Sequence, residues 1–230
     1  MTPPKPRTAA VPTADDAGRA APGAGLGLRE RKKWLTRRAI LEAAGQLFEE
    51  HGYEGVTVAR IADEANVSVK TLFTYFDSKE DLVFGDEVET RDALVAAVRE
   101  RPAGASALEG MRAFLAELAA SADDVHGLEG FHTTFGEVPA LRSRLLVMFE
   151  RFEEALAGLL AEETGATGDD PTPRLVAAQL VSLLRLITSQ EVRRRVDARP
   201  AAERRAALLR CVDDSAALLS GGLAGYAIRT

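Results

Sequence analysis

Cysteine is almost absent from this chain of 230 residues, with Cys211 the single example. One thiol excludes an intramolecular disulfide and a structural Cys-rich zinc site, and it fits a reducing cytoplasm. Its place on a helical face leaves two readings, inert packing or a redox sensor. Long hydrophobic runs are missing too. Nowhere do about 18 apolar residues follow one another, so no helix is expected to span a bilayer. APGAGLGL is too short and Gly-rich for a signal-peptide core, and it precedes the basic cluster instead of following it, so secretion is not expected. Runs of alternating β-branched residues do not occur, which removes sheet-based folds.

Catalytic patterns are equally scarce. No Ser-His-Asp set, phosphate-binding glycine loop or Cys-based site can be picked out. His126, Glu129 and His132 have neither i, i+4 nor zincin spacing. The chain is therefore not expected to be an enzyme, nor to hold a metal or a cofactor.

What is present is a composition that is 46% hydrophobic, ample for a packed interior. Residues 1–28 stand apart. Pro3, Pro4, Pro6, Pro12 and Pro22 alternate there with alanine and glycine and few large apolar side chains, the composition of a disordered tail. The net charge of −6 is unevenly spread. Lys+Arg against Asp+Glu is 12 and 12 in residues 1–85, and 17 and 23 in residues 86–230. Within the balanced part, Arg29, Arg31, Lys32, Lys33, Arg37 and Arg38 crowd together against Glu30 alone, making a local cationic arm or a solvated helix start.

Beyond residue 28 the apolar period is helical and predicts an all-α chain. A first helix is expected from Thr36, with Ile40, Ala43, Ala44, Leu47 and Phe48 as its buried stripe, ending at Gly52. Trp34, just before it, either packs as a lid or touches DNA. Two short helices follow, capped by Thr57 and Ser68. Val58, Ile61, Ala62 and Ala65 point inward on the first, and Leu72, Tyr75 and Phe76 on the second. Asn66 sits where the chain must pass through a left-handed turn, which Asn tolerates. Two capped helices and a tight turn make a helix-turn-helix, or a structural corner of the same shape.

From Thr36 to Leu82 the chain reads TRRAILEAAGQLFEEHGYEGVTVARIADEANVSVKTLFTYFDSKEDL. This resembles the N-terminal DNA-binding domain of the tetracycline-repressor (TetR/AcrR) family. The match runs through Arg37, Ile40, Ala43, Ala44 and Phe48, then Gly52-Tyr53, Thr57-Val58, Ile61-Ala62, Val67-Ser68, Thr71-Leu72, Tyr75-Phe76 and Ser78 to Leu82. The resemblance implies a three-helix DNA-binding domain over residues 29–82 and a helical effector-binding and dimerisation domain over residues 83–230. It implies that Thr57, Ser68 and Lys79 contact phosphate and that Val69, Lys70, Thr71 and Thr74 face base edges, with Arg37 part of the same surface. Two positions depart from the family pattern: Asn66 stands where Gly is usual, and Phe73 where Tyr is usual, so Phe73 lacks a hydroxyl for phosphate. Tyr75 keeps one, as a DNA contact or as a core ring with an exposed tip.

The remaining helices are expected at Val83–Arg99, with Val88, Leu94, Val95 and Val98 facing the rest of the C-terminal part, at Ser106–Ala120, from Pro139 to about Glu163, at Thr172–Arg195 and at Pro200–Leu219. The last two are apolar on more than one side and so call for a second surface. In the family the corresponding pair forms a dimer interface, which makes Val181, Leu184, Leu208, Val212, Ser215 and Leu219 candidates, with intrachain core as the other reading. A small-molecule pocket among the middle helices, also implied by the family, would be lined by Phe114, Phe131, Phe135, Phe149 and Arg185; each is equally a core residue by its own pattern. The expectation is a cytoplasmic, homodimeric regulator that binds double-stranded operator DNA as a repressor and is released by a small effector. A regulator without a ligand, and an all-α enzyme or binding protein with a vestigial DNA-binding domain, are the alternatives.

Overall fold

A computed structural model describes residues 27–85, 87–121, 138–223 and 226–228. The candidates Phe131 and Phe135, and the His126, Glu129 and His132 group, lie outside the described residues. Among those described, nine α-helices and one 3-10 turn occur and no strand, so the chain is all-α as its period predicts. They fall into two units, residues 27–85 with 138–144 and residues 87–121 with 145–228.

The first unit begins with α1 (Leu28–His51), followed by α2 (Val58–Glu64), α3 (Val69–Tyr75) and a 3-10 turn (Glu80–Leu82). The buried stripe of α1 is Ile40, Ala43, Ala44, Leu47 and Phe48, as its spacing requires. Its start is not where the sequence places it. Helix α1 opens at Leu28, and the Thr36 hydroxyl, expected to cap, instead donates to Lys32 O at 2.9 Å inside the helix. Leu, Arg, Lys and Glu are strong helix formers, so the segment is helical before any apolar residue is buried. Gly52, at φ 71°, closes α1 by donating its N–H to Phe48 O. The caps of the next two helices are those expected. Thr57 accepts from Arg60 N at 3.3 Å, Ser68 from Thr71 N at 3.0 Å, and Asn66 between them has φ 52°. Ile61, Ala62 and Leu72 are fully buried where α2 packs on α1 and α3 on α2.

In the second unit come α4 (Glu87–Arg99) and α5 (Ala107–Ser121). Helix α6 (Pro139–Thr164) follows, its residues from Leu145 onward counted with this unit. Then come α7 (Thr172–Ile187), α8 (Gln190–Asp197) and α9 (Ala201–Leu223). The helix expected from Val83 to Arg99 starts only at Glu87, after the 3-10 turn. Ser106 caps α5 and Glu109 reaches back to its N–H at 2.7 Å, a reciprocal capping box. The single helix expected over Thr172–Arg195 is two. Thr188 turns its hydroxyl back on Leu184 O, and Ser189 caps α8 by accepting from Val192 N.

The core of this unit joins Leu94 and Val98 of α4, Met111 and Leu115 of α5, Phe152, Leu156 and Leu160 of α6, Leu180 and Ile187 of α7, and Leu208 and Val212 of α9. Val88, expected on the inward face of α4, is 48% exposed. Among the described residues no single helix is long and apolar enough to cross a membrane.

Candidate nucleic-acid interface

Helix α3 is two turns long, and its inward side is reduced to Leu72, with Phe76 as the buried residue just past its end. Its other residues are exposed or half-buried. Val69, Lys70, Phe73 and Thr74 are exposed; Thr71 and Tyr75 are half-buried. The Thr74 hydroxyl donates to Lys70 O at 3.0 Å, which leaves its methyl outward. The Phe73 ring is 47% exposed, an apolar surface where the family pattern carries a hydroxyl. Such a face offers an ammonium for guanine O6 or N7 and methyl or ring surface for a thymine methyl.

The two caps present a donor arrangement suited to phosphate. Helix N-termini expose N–H groups and the positive end of the helix dipole. Ser68 Oγ and Thr71 Oγ1 lie 2.7 Å apart. One of their two hydroxyl protons fills that bond, and the other is left for a partner. Arg60, in the first turn of α2, donates to His51 Nε2 at 2.7 Å.

The two remaining cations of the expected interface are tied to the chain itself. Lys79 Nζ donates to Tyr53 O at 2.5 Å and sits 4.0 Å from the centroid of the Tyr53 ring. Burial lowers its pKa from the ordinary 10.5, against the opposing pull of Glu54 and Glu80. The Tyr53 hydroxyl donates to Glu80 at 2.8 Å; burial first, and Glu80 next, raise the phenol well above its ordinary value. Arg37 donates to Gly85 O and lies 5.4 Å from the centroid of the Phe76 ring. A Cβ at Gly85 would stand 2.1 Å from Leu41 Cδ2, so a larger residue there would force the leucine side chain to move.

Asp81 accepts from Ser78 Oγ at 2.8 Å and from Arg144 Nε, at the start of α6, at 2.6 Å. Burial alone would raise its pKa; the bonds from Arg144 and Ser78 outweigh that and hold it below the ordinary 3.8. Neither Tyr53 nor Arg144 was singled out from the sequence for these roles. Tyr53 carried a signal in its place beside Gly52 in the matched motif, whereas nothing local marks Arg144, 63 residues from its partner.

This capped helix pair lies within residues 40–84, which match the model for bacterial regulatory proteins of the tetR family, and residues 112–224 match the model of the MftR C-terminal domain. The HTH-type transcriptional regulator TcmR of Streptomyces glaucescens is 33% identical over 174 residues, 72% of this chain and 77% of that protein. The chain belongs to the tetR family. It is accordingly a DNA-binding transcriptional regulator. The HTH-type transcriptional repressor AcnR of Corynebacterium glutamicum is 45% identical over 47 residues, 20% of this chain and 25% of that one. The crystal structure of FadR from Bacillus subtilis, in complex with stearoyl-CoA, has a TM-score of 0.51 and 19% identity, covering 81% of this chain and 98% of that one. At that identity the likeness is one of fold.

The tetR-family C-terminal candidates separate by burial. Val181, Leu184, Leu208 and Val212 belong to the hydrophobic core of the second unit and present nothing to a partner chain. Ser215 and Leu219 are half-buried, and the Ser215 hydroxyl donates to Cys211 O. The exposed apolar residues of these helices are Leu175 and Leu186 on α7, at one end and the other of a stripe through Gln179 and Ser182, and Leu218 on α9 at 86% exposure. Burial favours the intrachain reading for Val181, Leu184, Leu208 and Val212, which the apolar period on both sides of each helix leaves open beside the interface that the resemblance implies. Of the pocket candidates, Phe114 and Phe149 are buried in the same core. Phe149 meets Phe152 edge-on at 6.5 Å, and the exposed Arg185 guanidinium lies 5.4 Å from the Phe149 centroid and 3.9 Å from Glu153. An open groove of about 260 Å³ lies elsewhere, between α5 and α9, beside the Arg112–Asp213 ion pair, and none of the candidates lines it.

Proposed function

We propose that this tetR-family regulator acts as a cytoplasmic homodimeric repressor, without catalysis, on a palindromic operator, and that a small molecule bound in the second unit releases it. The observation that carries the DNA half is the outward face of α3. Val69, Lys70, Phe73 and Thr74 are exposed together on a helix whose N-terminus, like that of α2, is capped by a side chain, an arrangement that fits a major groove with phosphates beside it. Lys70 and Thr74 read base edges, with Val69 and Phe73 against thymine methyls. Thr57, Ser68, Thr71 and Lys79 hold phosphates, while Arg37 and Tyr75 support α3 from its inner side.

One seven-residue helix touches too few base pairs for specificity, so two copies must act together, with recognition helices about 34 Å apart. Leu175, Leu186 and Leu218 are the exposed large apolar residues of α7 and α9, open to be covered by the second copy. For the effector, the supporting feature is the Arg185 guanidinium beside the Phe149 ring, a cation against an apolar wall. Release requires that the effector prefer the dimer geometry in which the recognition helices no longer match successive major grooves.

The test is selection of duplexes from a random library by the full chain, followed by footprinting and transcription from a promoter carrying the selected site. An inverted repeat with half-sites one helical turn or a multiple apart, and reduced transcription, is expected. Enrichment of single, unpaired half-sites would refute the dimeric operator, and raised transcription would refute repression.

A further inference from the structure

Arg101 follows the end of α4 and is 3% exposed, so its charge is carried into the interior of the second unit. A guanidinium has five N–H groups, and burial makes each one that lacks an acceptor costly. All five are met. Nε donates to Ala105 O at 3.1 Å, just before α5. Nη1 donates to Val98 O, in the last turn of α4, and to Glu163 Oε1 at 3.0 Å. Nη2 donates to Glu163 Oε2 at 2.7 Å and to Ala227 O at 2.5 Å. One side chain thus ties the end of α4, the start of α5, the end of α6 and the residues that follow α9, the last of these across 126 positions of the chain.

The corner between α4 and α5 has no slack on its other side. A Cβ at Gly110 would stand 3.0 Å from Val98 Cα and 3.2 Å from Arg101 Cδ, so the two helices approach there nearly backbone to backbone. Residues 226–228 are held less firmly. Among the described residues the Ala227 carbonyl makes their only hydrogen bond. Tyr226 and Ala227 are half-buried against the core, and Ile228 is exposed. Ala227 has φ 49°, a left-handed conformation that alanine disfavours. One charge-assisted bond and limited packing therefore hold this segment against backbone strain. Undocking it takes little from the core, but it leaves a buried cationic N–H without its acceptor. That group then needs water, and the corner must open to admit it.

We infer that residues 226–228 are a reversible latch: docked on Arg101 they close the α4–α5 corner, and released they open that corner to water while the core of the second unit stays folded. The inference is independent of the operator reading, and it gives the second unit a local two-state element of the kind whose equilibrium a bound molecule can bias.

The test is amide hydrogen exchange on the full chain, read at Glu100, Ala105, Ser106 and Gly110 around the corner and at residues 176–187 of α7 as a reference. Ala227→Pro cannot reach φ 49° and removes no N–H bond that Ala227 makes among the described residues. It speeds exchange at the corner by about tenfold or more and leaves α7 at the wild-type rate. Ala227→Gly, free to take a positive φ, keeps the corner as protected as in the wild type. In Arg101→Lys, which puts three donors on a flexible stem in place of the planar fork, the two Ala227 variants no longer differ at the corner. Should Arg101→Lys fail to fold, a chain ended after Leu223 replaces it and matches Ala227→Pro at the corner. Wild-type exchange at the corner in Ala227→Pro, or in the shortened chain, overturns the inference. So does a Gly variant as fast as the Pro variant. Equal acceleration at the corner and in α7 also overturns it, because the segment would then only add to the stability of the whole unit.

Discussion

Lys79 and Tyr53 hold each other by two contacts at once: the ammonium donates to the Tyr53 carbonyl at 2.5 Å and lies 4.0 Å from the centre of its ring. The sequence motif marks Lys79 as a phosphate ligand and says nothing of this clamp. A lysine ammonium has three donors, and the carbonyl takes one. The clamp therefore does not compete with a phosphate; it fixes where the remaining donors point.

Lys79→Ala is expected to weaken binding to operator and random DNA alike, with a salt slope shallower by about one unit. Tyr53→Leu, which removes the ring and the Glu80 bond but not the carbonyl, should reproduce part of that loss while Lys79 is still present. Titration of both variants at several salt concentrations checks this. A wild-type salt slope and affinity in Lys79→Ala would remove it from the interface.

Lys70→Ala should behave differently, because its side chain is exposed on the outward face of α3. Discrimination at one operator position per half-site is expected to fall by about 1–3 kcal/mol, with random-DNA binding little changed. Competition against single-base operator variants reads this directly. Equal losses on operator and random DNA would make Lys70 a phosphate contact.

Asp81 links acid stability to the start of α6. Its pKa is lowered in the folded state, so its stabilising contribution is complete above the unfolded carboxylate pKa of about 3.9 and is lost as pH falls through the lower folded value. Unfolding of the first unit on acidification below about pH 4 should therefore be less steep in Asp81→Asn than in the wild type, and the variant should be less stable at pH 7. Denaturant melts from pH 3 to pH 7 measure both. Arg144→Ala, which leaves Asp81 partly buried without its main cation, should show the same neutral-pH loss, roughly 1–2 kcal/mol after allowance for solvent screening.

Leu218 and Leu208 lie on the same helix and separate assembly from folding. Leu208→Ala removes a buried side chain and should cost about 2–5 kcal/mol of folding stability. Leu218→Arg alters one that is 86% exposed, so the protomer should remain folded while sedimentation shows a monomer and operator affinity falls. A Leu218→Arg protein that stays dimeric at micromolar concentration would move the interface elsewhere.

What the sequence determined by itself is everything governed by neighbours along the chain. Thr57 and Ser68 cap their helices because a hydroxyl three residues before an N–H is enough to satisfy it. Asn66 takes φ 52° because the tight turn between those helices demands it and Asn tolerates it. The buried stripe of α1 follows from 3.6-residue spacing, and the ordered match from Arg37 to Leu82 carried the family. Tertiary structure decided the rest. It chose which side of α7 and α9 is core: both sides carry apolar residues, so period alone cannot rank them, and Val181, Leu184, Leu208 and Val212 went inward while Leu175, Leu186 and Leu218 stayed out. It brought Arg144 to Asp81 and Lys79 to Tyr53, pairs whose separation of 63 and 26 residues leaves no trace in local pattern. It left the cationic start of α1 helical but unburied by the described residues, because propensity and short-range bonds suffice to form a helix whereas only a packed neighbour can bury one.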